Sequence, residues 1–174
     1  KYLVEVEIDK YKKLGLPIVT LNPGVVTGPN DFKTFGKTVI AISNGKMNSK
    51  FFPNSYIPLV YIDDVINLMI KAINIENGKK YIVVGENIKI GDVFDKICKI
   101  MNKDKINKVT PELYLYFLAY FSELISFFTR KKPFLAIDGL KAIKIGAIAS
   151  NEKSIKELGF NYHTAEEILA KSIE

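Results

Sequence analysis

The sequence contains few of the residues that build common metal and disulfide sites. Its 174 residues include one cysteine, one histidine and no tryptophan, and Arg130 is the only arginine. A single cysteine, Cys98, excludes an internal disulfide. Because His163 lies far from Cys98 in the sequence, the two residues do not form a common zinc site. We therefore expect no metal site in this chain.

Glycine-rich loops that hold phosphates are also missing. The 11 glycines form no Gly-x-Gly-x-x-Gly sequence and no complete Gly-x-x-x-x-Gly-Lys-Ser/Thr loop. Such loops bind phosphates through closely approaching backbone amides at the start of a helix. If this chain takes part in nucleotide chemistry, the phosphates must be bound by residues outside it.

The positive charge of the chain comes almost entirely from lysine. The net charge is +6, and the 25 cationic residues include Arg130 as the single arginine. Arginine binds bases and phosphates through two parallel hydrogen bonds, which lysine does not make. The lysines are scattered rather than clustered, so we do not expect nucleic-acid binding.

The first residues indicate a fragment of a longer protein. The chain begins with Lys1 instead of methionine, and its first residues are charged. A secretory signal peptide would show an apolar core at this position. We expect a cytoplasmic protein, of which this chain is one part.

The order of apolar patterns predicts helices that alternate with strands. Residues 1–14 have helical spacing, Gly15 and Pro17 end that helix, and residues 18–21 form a β-branched strand. A short strand that follows a helix in this way is typical of a parallel sheet with crossover helices. Further patterns predict strands at 56–62 and 80–84, helices at 35–43, 65–73, 93–101, 152–158 and 165–173, and a loop around 134–139.

Residues 111–128 form the most apolar stretch of the chain. From Leu113 to Phe128 only Ser122, Glu123 and Ser126 are plainly polar, and Arg130-Lys131-Lys132 follow. The stretch is shorter than the roughly 20 residues that a membrane span needs. An aromatic helix beside three cations suits a membrane surface. We favour the alternative, a helix packed on the domain or lining an apolar substrate pocket.

Residue chemistry alone leaves several site candidates open. Gly24 and Gly28 follow a strand and serve either tight backbone geometry or a ligand-facing turn. Asp63 and Asp64 are an acid pair, metal ligands or the N-cap of a helix, and we favour the cap. We expect His163 to be a solvated or packing residue and Cys98 to be a core thiol.

Several segments of the chain form an ordered set of motifs. The first two are Lys1-Tyr2-Leu3-Val4-Glu5 and the run from Gly15-Leu16-Pro17 through Asn22-Pro23-Gly24 to Gly28-Pro29-Asn30-Asp31. The others are Val60-Tyr61-Ile62-Asp63-Asp64-Val65, Tyr81-Ile82-Val83-Val84-Gly85-Glu86, and Ser150-Asn151-Glu152-Lys153-Ser154-Ile155-Lys156-Glu157-Leu158-Gly159-Phe160. These segments span nearly the whole chain. In this order they resemble the extended short-chain dehydrogenase/reductase superfamily, which comprises NAD-dependent epimerases, dehydratases and dihydroflavonol-reductase-like enzymes.

The resemblance implies a fold and a division of the chain. The fold class is α/β, the C-terminal part of a doubly wound Rossmann-like sheet plus a small mixed α/β substrate-binding lobe. Residues 1–31 would be the last part of the dinucleotide-binding domain. Residues 32–174 would mainly form the substrate lobe, with some segments returning to the Rossmann sheet.

The resemblance also implies the roles of a few residues. Lys1 would be the active-site lysine of a Tyr-x-x-x-Lys pair whose tyrosine lies upstream, since none of the nine tyrosines has a lysine four residues later. Lys1 would hold the ribose of NAD or NADP and lower the pKa of that tyrosine. Pro23, Gly24, Val25 and Val26 would line the nicotinamide, and Asn22 would face the substrate or the cofactor.

The implied function is that of an NAD(P)-dependent oxidoreductase or a nucleotide-sugar epimerase/dehydratase with a small-molecule substrate. We also expect a homodimer, and no turnover by this chain alone. Two alternatives stay open at this point. The first is a non-catalytic, nucleotide-sensing protein of the same fold, and the second is a peripheral membrane protein that uses Leu113 to Arg130.

Overall fold

A computed structural model describes residues 2–32, 35–75 and 78–173. The described residues form eight helices and five short strands. In chain order they are α1 Tyr2–Lys13, β1 Thr20–Pro23, β2 Val25–Thr27, α2 Phe35–Ser43, β3 Tyr56–Tyr61, α3 Ile62–Ala72, β4 Lys80–Val83, β5 Glu86–Lys89, α4 Ile90–Ile100, α5 Glu112–Thr129, α6 Ile137–Ile145, α7 Glu152–Leu158 and α8 Ala165–Ile173. This confirms the predicted mixed α/β class.

The strands form two small sheets. In the two-stranded sheet, β1 pairs in parallel with β4, with Leu21 opposite Tyr81. In the three-stranded sheet, β2 pairs in parallel with β3, and β3 pairs antiparallel with β5. The parallel pairings confirm the arrangement predicted from the helix–strand order. In the antiparallel pair, β5 runs in the opposite direction to β3, and Ile57 of β3 lies opposite Ile88 of β5.

Three connections join the two sheets: one runs through α3, from β3 to β4, and the other two have no intervening helix and cross at a glycine. Gly24 separates β1 from β2, and Gly85 directly precedes β5. A Cβ atom at Gly24 would lie 2.3 Å from the carbonyl oxygen of Pro58, and one at Gly85 would lie 2.8 Å from that of His163. The crossings therefore need residues without side chains, because the neighbouring backbone occupies that space.

The core lies mainly on the three-stranded sheet. Helices α2, α4 and α8 pack together on it, and the largest buried side chains of this cluster include Leu59, Phe94, Ile97, Ile168 and Leu169. A second cluster joins β3, α3 and β4 to Phe160. Cys98 is buried in α4, which confirms the predicted core thiol.

Most predicted elements are confirmed, with shifts at their ends. The helices at 35–43, 152–158 and 165–173 have the predicted bounds, and the strand predicted at 18–21 lies at Thr20–Pro23. β5 was not predicted, because Glu86-Asn87-Ile88-Lys89 contains one apolar residue and forms a strand through pairing with β3. The loop predicted around 134–139 is wrong in its second half, since α6 begins at Ile137.

From the sequence we favour a helix that packs on the domain or lines an apolar substrate pocket. In the structure, the apolar helix α5 does not pack on the domain. Among its described residues only Ala119 is buried, and the helix packs chiefly on α6. The α5–α6 hairpin joins the three-stranded sheet at its base, where Ala147 N donates a hydrogen bond of 2.9 Å to Tyr56 O. The prediction fails because burial of an apolar helix depends on neighbours that its own sequence does not specify.

Candidate active site

The turn singled out in the sequence lies at the carboxyl ends of the parallel strands β1 and β4. Asn22 and Pro23 of β1 lie opposite Ile82 and Val83 of β4, and Gly24 N donates a hydrogen bond of 3.0 Å to Val83 O. In open α/β sheets, ligands bind at the carboxyl ends of strands, near the point where the sheet topology changes. The structure thus gives this turn the position that a ligand-facing turn requires.

The strand after the turn has an open edge. β2 pairs with β3 on one side, and no other strand of the described residues pairs with it. Alternate backbone N–H and C=O groups of an edge strand point away from the sheet and can bind a ligand. A cavity of about 430 Å³ borders this strand and is lined by Val25, Val26, Thr27, Gly28, Pro29, Asn30, Asp31 and Ile62.

The loop of residues 28–31, which lines this cavity, is held to helix α2. Asp31 Oδ2 accepts a hydrogen bond of 2.7 Å from Gly36 N, in the first turn of α2. A Cβ at Gly28 would lie 2.5 Å from Ile62 Cγ2, so Gly28 lets the loop approach the start of α3. Both site glycines therefore serve tight backbone geometry, and the second interpretation, a turn that also faces a ligand, stays a prediction. The same tight packing shapes the cavity wall.

The other predicted site residues are placed as follows. Asn22 is half-buried in β1, and Pro23 is exposed at its end. Lys1 lies outside the described residues, so its predicted catalytic role stays a prediction. The nicotinamide-facing role of Pro23, Gly24, Val25 and Val26 likewise stays a prediction, although the structure brings all four to one sheet end.

Asp63 and Asp64 do not cap a helix, which corrects the favoured interpretation. Helix α3 begins at Ile62, and neither carboxylate caps its first turn. Asp64 is buried and binds His163 twice: Oδ2 accepts from His163 N at 3.0 Å, and Oδ1 lies 2.7 Å from His163 Nδ1. Strand β3 runs directly into α3 without a loop, so no capping position exists at Asp63 or Asp64.

His163 is a packing residue, as expected, but one with an acidic partner. Its ring lies against Tyr61 with centroids 4.9 Å apart. The neighbouring Tyr162 is half-buried, and burial is the main cause that raises its pKa, with the charge of Asp64 acting in the same direction. The Asp64–His163 pair fixes the segment before α8 onto α3 and reaches no nucleophile among the described residues.

Two findings concern metals and membranes. Within residues 2–32, 35–75 and 78–173, no three histidine, cysteine, aspartate or glutamate side chains are grouped as metal ligands would be. In the same part of the chain, no helix has both the length and the apolar character that crossing a membrane requires.

Sequence comparison finds a relative of this chain among known proteins. No family model matches the chain. Sterol demethylase protein B of Methylococcus capsulatus is 24% identical over 150 residues, which cover 83% of this chain and 45% of that protein. The chain thus spans about half the length of the curated relative that it matches.

Solved structures show the same fold over nearly the whole chain. A nucleoside-diphosphate-sugar epimerase from Pseudomonas aeruginosa matches with a TM-score of 0.74 and 21% identity, over 99% of this chain and 52% of that one. UDP-glucose 4-epimerase of Thermus thermophilus in complex with NAD matches with a TM-score of 0.67 and 16% identity, over 97% of this chain and 50% of that one. RMD from Pseudomonas aeruginosa complexed with NADPH matches with a TM-score of 0.61 and 13% identity, over 92% and 48%.

These matches define the class of protein. The chain has the fold of about half of each of these chains, two of which are sugar-nucleotide epimerases. The resemblance read from the sequence, and the α/β class with a Rossmann-like part, are confirmed at this level.

Proposed function

We propose that this chain is the C-terminal portion of an NAD(P)-dependent oxidoreductase or nucleotide-sugar epimerase/dehydratase. The observation that carries the proposal is the segment Thr20–Thr27, which ends a parallel strand, turns at Gly24 and continues as the edge strand β2 beside a cavity. This is the position at which an α/β sheet binds its ligand. The fold matches include enzymes in complex with NAD and with NADPH.

The described residues fit a nicotinamide. The open edge of β2 offers backbone donors and acceptors to a carboxamide. The side chains of Val25 and Val26 pack against the two core clusters on opposite faces of β2, so the strand would meet the ring with its backbone. When bound, the nicotinamide supplies or takes up the hydride. Residues 22–26 would orient the ring, and residues 1–31 would belong to the dinucleotide-binding domain, with the lobe following from residue 32.

The proton in this reaction would be moved by an upstream tyrosine, with Lys1 as its partner. The ammonium of Lys1 would favour the phenolate by its charge and would hold the ribose hydroxyls. The test uses the full-length protein that contains this chain. Lys1→Met is expected to lower kcat at least about a hundredfold, which is the usual contribution of a general acid or base.

The matched control is Lys12→Met, which replaces a partly exposed lysine on the same helix α1. It is expected to leave kcat and the KM for NADH and NADPH unchanged. Equal activity of the Lys1 and Lys12 variants would contradict the proposed pair. A full-length protein that binds NADH but turns over neither sugar nucleotides nor alcohols would favour the non-catalytic sensor instead.

A lipid-like alcohol or ketone is a second candidate substrate. Among the described residues, the cavity beside β2 is lined mainly by apolar groups and by no lysine or arginine, and its one charged residue, Asp31, accepts a hydrogen bond from Gly36 N. A sugar nucleotide carries two phosphates, which proteins usually bind with cations or helix N-termini. The curated relative is a sterol demethylase protein. Turnover with sterol alcohols and not with UDP-sugars would select this candidate, and the reverse result would remove it.

A further inference from the structure

The end of the α5–α6 hairpin carries exposed aromatic rings beside three cations. Phe127 and Phe128 are 80% and 76% exposed, and Phe134, in the connection to α6, is 91% exposed. Arg130, Lys131 and Lys132 lie between them and are exposed. We name these six residues the aromatic–basic tip. Three phenylalanines at this exposure present on the order of 400 Å² of apolar surface, the size of patch that usually marks an interaction site.

The tip is a built structure and not a loose loop. Arg130 adopts a left-handed conformation, with φ of 54°, that ends α5. Ser122 Oγ accepts a hydrogen bond of 3.0 Å from Leu135 N, and Glu123 Oε1 accepts one of 2.8 Å from Ile137 N. The polar side chains of α5 thus hold the connection in place, which leaves the phenylalanines and cations facing outward.

The rest of α5 continues the apolar surface. Between Leu113 and Ile125, the exposed positions of α5 carry large apolar side chains. The carboxylates nearby are already engaged: Glu123 bonds to the start of α6, and Glu112 pairs with Lys144. The exposed face of α5 beyond Glu112 therefore offers no acidic group, while the tip offers three cations.

We infer that the aromatic–basic tip docks the protein onto an anionic lipid bilayer surface. Phenyl rings gain free energy by entering the boundary between headgroups and acyl chains, and cations gain it from anionic headgroups. A bilayer supplies both partners at one surface. A second copy of the chain fits less well, because a symmetric interface would set three cations of each copy against Asp138, one exposed carboxylate near the tip that already pairs with Lys141 at 3.8 Å.

A second apolar surface, separate from the tip, is available to the remainder of the full-length protein. An apolar groove of about 540 Å³ lies between β1 and α3 and is lined by Pro17, Val19, Leu21, Met69, Ala72, Ile73 and Ile75. This groove borders the two-stranded sheet, whereas the hairpin is attached to the three-stranded sheet, and the two surfaces share no residue. The inference is independent of the proposed hydride transfer.

The experiment is co-sedimentation of the full-length protein with vesicles. Vesicles of phosphatidylcholine mixed with phosphatidylserine are compared with vesicles of phosphatidylcholine alone, at low and high salt. We expect binding to the anionic vesicles that weakens with salt, since exposed charges are screened. Replacing Phe127, Phe128 and Phe134 together by glutamine should abolish it. Replacing Arg130, Lys131 and Lys132 together by glutamine should weaken it at least about tenfold.

Two controls separate the tip from general effects. Replacing Lys46, Lys105 and Lys108 by glutamine removes the same charge elsewhere and should leave vesicle binding unchanged. Binding of NADH, followed by its fluorescence, should be the same in all variants and shows that each has folded. Unchanged NADH binding without any vesicle binding overturns the inference and leaves the proposed function standing.

Three other results also overturn the inference. The first is tip variants that bind anionic vesicles as well as the unchanged protein. The second is an unchanged protein that sediments as a dimer and does not bind vesicles, together with a phenylalanine variant that sediments as a monomer. A second copy of the chain would then cover the tip. The third is slow hydrogen exchange of residues 127–134 without vesicles, because another part of the full-length protein then covers them.

Discussion

The carboxylate of Asp64 binds both the backbone amide and the ring of His163, a residue 99 positions later in the chain. Asp64 is 2% exposed, so this contact lies inside the protein. It joins the first turn of α3 to the segment that leads into α8. The C-terminal helix is therefore positioned by a polar contact as well as by the apolar side chains of the core.

The first prediction concerns this contact. Asp64→Asn keeps the shape of the side chain but removes the charge that strengthens both hydrogen bonds. We expect the free energy of unfolding of the full-length protein to fall by about 1.5–3 kcal/mol in urea denaturation. Asp63→Asn is the matched control, because Asp63 is exposed and adjacent, and it should change stability by less than about 0.5 kcal/mol. Equal losses of stability in the Asp64 and Asp63 variants would show that the contact between Asp64 and His163 does not stabilise the protein.

The second prediction concerns the glycine at the crossing between β1 and β2. Gly24→Ala would place its Cβ 2.3 Å from Pro58 O, so either β3, which contains Pro58, or the segment between β1 and β2 must shift. We expect a loss of about 1–3 kcal/mol in thermal or urea unfolding, and weaker NADH binding if residues 22–26 line the nicotinamide. Gly139→Ala in α6 is the control. No atom lies within 4 Å of a Cβ there, so this variant should be neutral or slightly stabilising.

The third prediction concerns pH. Glu157 in α7 accepts hydrogen bonds from the Tyr81 hydroxyl at 2.9 Å and Lys79 at 3.2 Å, and these hold the pKa of Glu157 below its ordinary value of 4.5. A lowered pKa in the folded state means that the stabilisation is complete above 4.5 and is lost as pH falls through the lowered value. Glu157→Gln should therefore lower Tm at neutral pH, and the difference should shrink on acidification.

Glu152→Gln tests whether any glutamate of α7 would behave in this way. Glu152 pairs only with Lys156, one turn later on the same exposed face of the helix, at 3.3 Å. Its replacement should change Tm much less than that of Glu157 at neutral pH. A Tm difference for Glu157→Gln that stays constant from neutral to acidic pH would contradict the assignment.

The fourth prediction concerns the groove beside β1. If another part of the full-length protein covers the groove, Met69→Lys buries an unpaired charge and should lower the free energy of unfolding by about 1–3 kcal/mol. Asn67→Lys, on an exposed position of the same helix α3, should be neutral. Urea denaturation of both full-length variants checks this. Equal stability of the two would place the groove in solvent.

The sequence predicted those elements whose signals are local. Helices α2 and α8 have the predicted bounds. At the start of α8, Thr164 and Glu167 form a reciprocal cap: Thr164 N donates to Glu167 Oε2 at 2.7 Å, and Glu167 N donates to Thr164 Oγ1 at 3.4 Å. These interactions connect residues within one turn, so the sequence contains all the information they need.

The sequence did not predict features that depend on distant partners. Asp64 resembles a cap in a local view, and its partner His163 becomes its neighbour only through the fold. The helical character of α5 was clear, but its exposure depends on what packs beside it. For the candidate site, the turn at residues 22–26 was located by its strand and glycines, whereas the open edge of β2 required knowledge of the strand pairing.

The two crossings at Gly24 and Gly85 also determine how the parts of the molecule can move. They lie side by side, because Gly24 bonds to Val83 and a Cβ on Gly24 would lie 3.1 Å from the side chain of Val84. A third connection, through α3, also joins the sheets, and one buried cluster contains Val60 of β3 and Val83 of β4. We therefore expect the two sheets to resist both tilting and twisting relative to each other, because any such motion would separate packed side chains.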